Sequence, residues 1–447
     1  MSSITERSII AAPLLNFAAM NRTLYTLLLY LAVPVIAVRL WLRSRKAPAY
    51  AKRIGERFAV TLPEFKQGGI WLHAVSVGES IAAAPVVKAL QQQYPDLPIT
   101  VTCMTPTGSE RIQSLFGDSV QHCYLPYDLP LASKRFLKRL QPRLAIVMET
   151  ELWPNHINQC ARLKIPVVLA NGRLSERSAR GYGRFPKLVA PMLKQISALA
   201  VQSAIEAQRF TELGARADAV MVTGSIKYDQ QVAEGLPEQA QTLREQWQAS
   251  QRPIWIAAST HEGEDALVLA AHQQLLKLFP KALLILVPRH PERFESVYTL
   301  CVEQGMRVQR RSTGARVTAE QQVLLGDTMG ELMFLYALAD VALVGGSLIK
   351  HGGHNMLEPV ALAKPTLTGP HYFNFLEIAE QLREAGGLQT VADSPQLAQA
   401  VARLWSSHAH AEKMCRAAQQ VLQRNQGALQ RLLDIIQVQL AEHQSAP

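Results

Sequence analysis

The stretch "DVALVGGSLIKHGGHNMLEP", residues 340–359, carries the choice of fold in the order of its parts. After Asp340 its next four residues are apolar and rich in Val and Leu, the pattern of a short strand buried in a parallel sheet. Glycines follow at once, where the backbone must come close to something, and a helix is expected to start near Asn355. A Gly-rich turn between strand and helix suits phosphate, because helix N-termini present free N–H groups and a partial positive charge. A structural account of the same residues stays open. Asn355 and Glu358 have capping-box spacing, and Pro359 is tolerated in a first turn.

The order strand, loop, helix recurs on both sides of this stretch, mostly on its N-terminal side. "GIWLHAV", "PITVTCM", "VQHCYLP", "RLAIVME", "IPVVLAN" and "ALAVQS" read as strands in the first half of the chain. "PIWIAAS", "ALLILVP", "QQVLLGD", "DVALVGG" and "KPTLTG" follow in the second. Such alternation predicts doubly wound parallel sheets, and the length fits two of them. The expected division is a tail and anchor over 1–45, a Rossmann-like domain over 46–228, a linker at 229–250 and a second Rossmann-like domain over 251–424. The helical pattern at 425–447 would return toward the first domain. Two open α/β sheets facing each other would place a cleft at the carboxyl ends of their strands.

The 447 residues carry a formal charge of +10. That balance favours an anionic partner: nucleic acid, a membrane surface or a phosphorylated substrate. Five scattered cysteines without zinc or redox spacing read as reduced thiols. Residues 23–38, "TLYTLLLYLAVPVIAV", form an apolar run broken only by Pro34, slightly short of the roughly 20 residues a bilayer crossing needs. Seven Lys/Arg against one Glu follow over 39–57, which keeps the body on the cytoplasmic side by the positive-inside rule. A single N-terminal anchor is expected, with an interfacial helix as the other reading. Residues 1–19 read as a tail, and Met20 competes with Met1 as the start.

Several loops after strands hold residues of chemical interest. In "SVGES" (76–80), Ser76 and Glu79 have capping-box spacing, yet Glu79 also sits where a general base would face the cleft. "METELWPN" places Glu149 and Glu151 directly after a strand, awkward for stability alone and expected near a site that needs negative charge. Lys227, in "TGSIKYD", ends the first half; a lone surface lysine is the plainer account. In "LVPRHPERF", Pro288 sets the turn, and Arg289 or Arg293 suits phosphate or a base. "GDTMGEL" offers Thr328 as an N-cap and the N–H groups of Gly330 and Glu331. With 351–359, three loops at three strand ends point to a nucleotide site. Neither a Walker A motif nor G-x-G-x-x-G is present, no Asp-x-Asp is found, and the histidines lack ligand spacing, so no metal is expected.

With these residues in view, the chain resembles the 3-deoxy-D-manno-octulosonic acid (Kdo) transferases of lipid A biosynthesis. The resemblance rests on "RKAPAY", "HAVSVGE", "CMTPTGSER", "YLPYD", "METELWPN", "TGSIKYD", "STHEGE", "PRHPERF", "GDTMGEL" and "GGHNMLEP", in that order. It implies the GT-B fold, CMP-Kdo as donor, lipid IVA as acceptor in the N-terminal domain, no cofactor, no nucleic acid, and a place at the bacterial inner membrane. By position it makes Glu79 the base toward the acceptor 6′-hydroxyl, with Glu149 and Lys227 stabilising the transition state. It makes Pro288, Arg289, Met329, Gly330, Glu331, Asn355, Met356, Leu357 and Glu358 the CMP-binding set. Met356 departs from the Pro that relatives often have there, a change that leaves the helix N–H groups in place. The basic segment 171–194, with six Lys/Arg against one Glu, suits an acceptor bearing two phosphates or is simply a solvated face. A GT-B transferase or epimerase using a UDP-sugar is the alternative enzyme; an exported solute-binding protein is the alternative from another class.

Overall fold

The computed structural model, which describes residues 19–445, has fourteen strands, most of them short apolar runs rich in Val, Ile and Leu. The expected tail therefore lies outside the described residues but for its last position. The first sheet holds β1 (Ile70–His73), β2 (Ile99–Cys103), β3 (Gln121–Tyr124), β4 (Leu144–Met148), β5 (Val167–Gly172), β6 (Ala198–Val201) and β7 (Val220–Val222). Every pairing in it is parallel, in the order β3-β2-β1-β4-β5-β6-β7. The second holds β8 (Ile254–Thr260), β9 (Leu283–Pro288), β10 (Val308–Arg310), β11 (Val323–Leu325), β12 (Val341–Val344), β13 (Thr366–Thr368) and β14 (Leu388–Thr390). It too is parallel, in the order β10-β11-β9-β8-β12-β13-β14. Chain order reverses between β1 and β4 in one sheet and between β8 and β12 in the other. At such a point the connections part to opposite faces and open a crevice at the carboxyl ends.

Each sheet belongs to its own compact unit. The described residues up to Ile226, together with those from Gly427 onward, form the first; Lys227–Gln426 forms the second. The stretch expected as a linker lies in the second unit and supplies the helix Leu236–Gln246, which buries Ala240 and Arg244. The pattern read as one C-terminal helix breaks at Gly427, whose φ of +88° a side chain would resist.

Helix α1 (Arg22–Lys46) starts at Asn21, whose side chain accepts from the Leu24 N–H, and runs through Pro34. It is long and apolar enough to cross a membrane. One face packs on the first unit: Leu29 and Val33 meet a cluster of Ala59, Leu129 and Ala132, and Leu40 is buried. Tyr25 donates to Asp128 at 3.1 Å and Thr26 to Asn155 at 3.1 Å. The other face exposes Leu27, Leu28, Leu31, Val35, Val38, Trp41 and Leu42. Helix α2 (Val77–Gln93) follows β1, and α3 (Pro154–Arg162) follows β4. In the second unit α4 (Glu264–Leu278) follows β8. Helix α5 (Ala428–Ser445) closes the first core by burying Ala428, Leu432, Leu433, Ile436 and Leu440 against residues of β1, β2, β4 and α2.

Candidate active site

Of the loops that sequence singles out, those after β1, β4 and β12 fall at the two reversal points, while those after β9 and β11 lie at the ends of strands on one side of β8. In the first unit, β1 and β4 deliver Glu79 and the pair Glu149 and Glu151. Ser76 caps α2, and Glu79 folds back over the cap: its Oε2 accepts from the Val75 N–H at 2.8 Å and its Oε1 from the Ser76 hydroxyl at 2.9 Å. The cap is real, and it holds the carboxylate in place without using it up, since each oxygen retains a lone pair. Glu79 is 9% exposed. Burial lifts its carboxyl above the usual range; hydrogen bonds from Val75 and Ser76 pull it down, and Glu149 pushes it up again.

Glu149 continues β4, donating its N–H to Ala170 O at 2.9 Å, but turns at a φ of +54°. A β-carbon is strained there, and such strain gathers where a side chain must be aimed. Two residues on, the Glu151 carboxyl is pushed up to about 7, first by burial and then by the charges of Glu79 and Glu149, against the nearby Trp153 indole N–H. Three carboxyl groups thus act on one another at one end of the first sheet.

The second unit assembles its loops around another buried carboxylate. Glu264, at the start of α4, is fully buried and accepts from the N–H groups of His261, Gly346, Ser347 and Leu348 at 2.6–2.9 Å. It clamps the turn after β12 onto the end of β8. The chain then bends through Gly352 and Gly353, at φ of +106° and +75°; a β-carbon on Gly352 would lie 2.3 Å from the Asn374 side chain.

The expected start near Asn355 shifts: Met356 is the N-cap of a short helix, Leu357–Ala361. Asn355 accepts from the Leu357 N–H at 3.1 Å and donates to Glu358 at 3.3 Å, so this pair does bond. Met356 and Leu357 are fully buried in an apolar cluster with Tyr228 and Val344, which leaves only their backbone to a ligand. Burial pushes the Glu358 carboxyl up to about 7, opposed by Asn355 and by the charge of Arg289.

Pro288 ends β9, and Arg289 bonds through its N–H to Thr260 O. Arg293 directs one N–H to Thr260 O and pairs with Asp265, so part of its guanidinium is held within the second unit. Thr328 is not the expected N-cap. Its hydroxyl donates to Glu331 at 2.5 Å, and the next helix begins at Leu332 with Glu331 as its cap. Arg311 grips the same Glu331 carboxylate at 2.9 and 3.2 Å. Met329 is 63% exposed beside Gly330. Lys227 Nζ lies 5.3 Å from the centre of the Phe375 ring, within the second unit.

A cluster of histidines escaped sequence reading. His261 stacks on His351 at 3.6 Å, its Nε2 lies 2.9 Å from that of His354, and His290 packs edge-on at 5.3 Å. Burial first, then neighbouring rings and arginines, lower His261 to about 4 and His354 to about 3, so both are neutral at pH 7. The local signals are the His-Glu-Gly-Glu run at 261–264 and the pair His351 and His354, which lie far apart in sequence and meet only in the fold. Among the described residues, no group of three or more His, Cys, Asp or Glu is placed to hold a metal ion.

Comparison with known proteins gives the same direction as the site. Residues 52–230 match the family model described as 3-deoxy-D-manno-octulosonic-acid transferase (kdotransferase). A 3-deoxy-D-manno-octulosonic acid transferase of Haemophilus influenzae is 48% identical over 422 residues, 93% of this chain and 98% of its own length. One of Bordetella pertussis is 36% identical over 94% of this chain and 99% of its own. A solved glycosyltransferase of Rickettsia africae aligns with a TM-score of 0.53 at 15% identity, over 86% of this chain and 100% of its own. A UDP-GlcNAc 2-epimerase of Neisseria meningitidis aligns with a TM-score of 0.53 at 14% identity, over 82% and 99%. These two likenesses are of fold, the GT-B arrangement of paired Rossmann-like units.

Proposed function

Since the chain belongs to the 3-deoxy-D-manno-octulosonic acid transferase family, we propose that it moves Kdo from CMP-Kdo to the 6′-hydroxyl of lipid IVA, with inversion. Glu79 takes the proton of the acceptor hydroxyl as the oxygen attacks the anomeric carbon. The bond from that carbon to the CMP phosphate breaks, and CMP leaves with the electron pair. The observation that carries this reading is the Glu79 carboxylate, held at a reversal point by two hydrogen bonds and raised by burial toward the pH at which a base works.

The transition state is oxocarbenium-like, and the Glu149 carboxylate, aimed by its unusual backbone, stabilises that positive charge. Lys227 answers the carboxylate that Kdo itself carries. Arg289 and the backbone of Met329–Glu331 and Asn355–Glu358, with Pro288, bind CMP; Asn355 and Glu358 also offer side chains. Arg289 meets the phosphate charge, so the reaction is proposed to need no metal, and chelation by EDTA should leave turnover unchanged. Helix α1 lies in the cytoplasmic face of the inner membrane. Its hydrogen-bonded seam on the first unit favours an interfacial helix over one that crosses.

Mass spectrometry of lipid IVA incubated with CMP-Kdo and the pure protein tests the reading. The acceptor gains the mass of one or more Kdo residues if it holds. An unchanged acceptor, with UDP rather than CMP bound in calorimetry, overturns it in favour of a UDP-sugar enzyme.

A further inference from the structure

Helix α3 opens where the loop bearing Glu149 and Glu151 ends, and it opens without a cap of its own. Trp153 stands at the N-cap position with no side-chain bond to the first turn, and Pro154 has no N–H to give. The N–H groups of Asn155 and His156 remain, and a residue from elsewhere takes both. Asp128, on the stretch after β3, accepts from the Asn155 N–H at 3.0 Å and from the His156 N–H at 2.7 Å. The Asn155 side chain returns the contact, donating to the Asp128 carbonyl at 2.7 Å. Asn155 is fully buried and Asp128 nearly so.

Helix α1 holds this borrowed cap. The Tyr25 hydroxyl meets the same Asp128 oxygen as the Asn155 N–H, at 3.1 Å. Asn155 Oδ1 accepts from the Thr26 hydroxyl at 3.1 Å and from Arg22 Nη1 at 3.3 Å. Its partners set the orientation of that amide, since an arginine only donates and a backbone carbonyl only accepts. All three donors lie within residues 22–26, the start of α1. The apolar packing of the helix comes further on, at Leu29 and Val33. Apolar contact would be enough to seat α1 on the body. The polar contacts do something narrower: they converge on the two residues that start α3, and without them Asn155 Oδ1 is a buried acceptor with no donor.

We propose that Arg22, Tyr25 and Thr26 of α1 are positioning residues for the loop 149–153, acting through Asp128 and Asn155, so that the helix read as the membrane anchor also sets the geometry of the acid loop. The loop is held at its two ends. Glu149 continues the β4 ladder through its N–H to Ala170 O, and α3 begins at Pro154. Any shift in the start of α3 is therefore absorbed within 149–153, where Glu149 already sits at positive φ. That this geometry matters for turnover rests on the proposed reaction, in which Glu149 stabilises the transition state. A misplacement of about 1 Å in such a group costs up to about 100-fold in rate.

Tyr25→Phe with Thr26→Val keeps the shape of both side chains and removes both hydroxyls. In the full-length protein, amide hydrogen exchange read by mass spectrometry should quicken on the order of 10-fold over residues 149–158 and stay unchanged in the second unit. Sedimentation with phosphatidylethanolamine–phosphatidylglycerol vesicles and CMP affinity in calorimetry should match the wild type. With detergent-dispersed lipid IVA, kcat should fall by about 10- to 100-fold while KM for CMP-Kdo holds. Using Thr26→Ser in place of Thr26→Val returns one hydroxyl and should recover part of both losses. Leu31→Glu with Val35→Glu, on the exposed face of α1, should leave the vesicles yet keep wild-type exchange over 149–158. Unchanged exchange in that segment overturns the proposal, as does a rise spread evenly over the first unit with a lowered melting temperature. Faster exchange at 149–158 with undiminished kcat overturns it too. Faster exchange there, with a wild type that transfers no Kdo, leaves the positioning standing and overturns the proposed reaction.

Discussion

Glu79 accepts two hydrogen bonds as the arm of a helix cap, and the same bonds aim it. A Gln can keep both contacts, its oxygen facing the Val75 N–H and its amide donating to the Ser76 hydroxyl, which has lone pairs to spare. It cannot take a proton. Glu79→Gln should therefore melt within a few degrees of wild type, still bind CMP, and lose at least about 100-fold in kcat. Near-normal turnover with a lowered melting temperature would make Glu79 a cap only. Arg289→Ala should weaken CMP by about 1–3 kcal/mol in calorimetry with the fold intact, as loss of a charged hydrogen bond does. Glu358 gives a pH test. Its carboxyl is raised in the folded state to about 7, so ionising it opposes folding as pH climbs from the usual carboxylate range to 7. Glu358→Gln should gain stability over wild type at pH 8, on the order of 1–3 kcal/mol, and nothing at pH 4. Denaturant melts at the two pH values check it, and an equal difference at both would refute the raised carboxyl. Sequence spacing exposed Glu79 and the Asn355–Glu358 pair because both are local. It was blind to His261 against His354, which meet only after two strands and their turns are in place.

Elements were legible where they were buried. The eleven strands read from apolar runs all form, while β7, β10 and β14 were missed. Each has three residues, sits at a sheet edge and is only partly buried: β10 and β14 carry one apolar residue each, and the apolar Val220–Val222 is too short a run to stand out. Helix α1 was visible as an apolar run, but hydropathy could not show that only one side of it faces away from the body. That asymmetry makes a prediction. Leu31 and Val35, each 68% exposed, should tolerate Glu in the folded protein, yet Leu31→Glu with Val35→Glu should release it from phospholipid vesicles. Leu29→Glu, which meets the Ala59–Leu129 cluster, should instead lower the melting temperature. Sedimentation with vesicles and thermal melts separate the two; unchanged sedimentation of the double variant would place the membrane contact elsewhere.

At the scale of the whole molecule, the two units are not two stretches of chain. The first core needs Leu432, Leu433, Ile436 and Leu440 from the far end of the sequence. Removing four buried aliphatic side chains costs on the order of 5 kcal/mol or more, comparable to the whole stability of many domains. A chain stopped at Gln426 should lose the first unit to protease and leave a resistant fragment beginning near Lys227; survival of the first unit would refute the dependence. The same arrangement matters on the ribosome. About 200 residues separate Ile226 from α5. At ordinary translation speeds that is a wait of ~10–40 s, during which the nascent first sheet shows an uncovered apolar face. The half that bears Glu79 and Glu149 is thus begun before the second unit and finished after it, and a messenger cut short of α5 leaves that half without its cover.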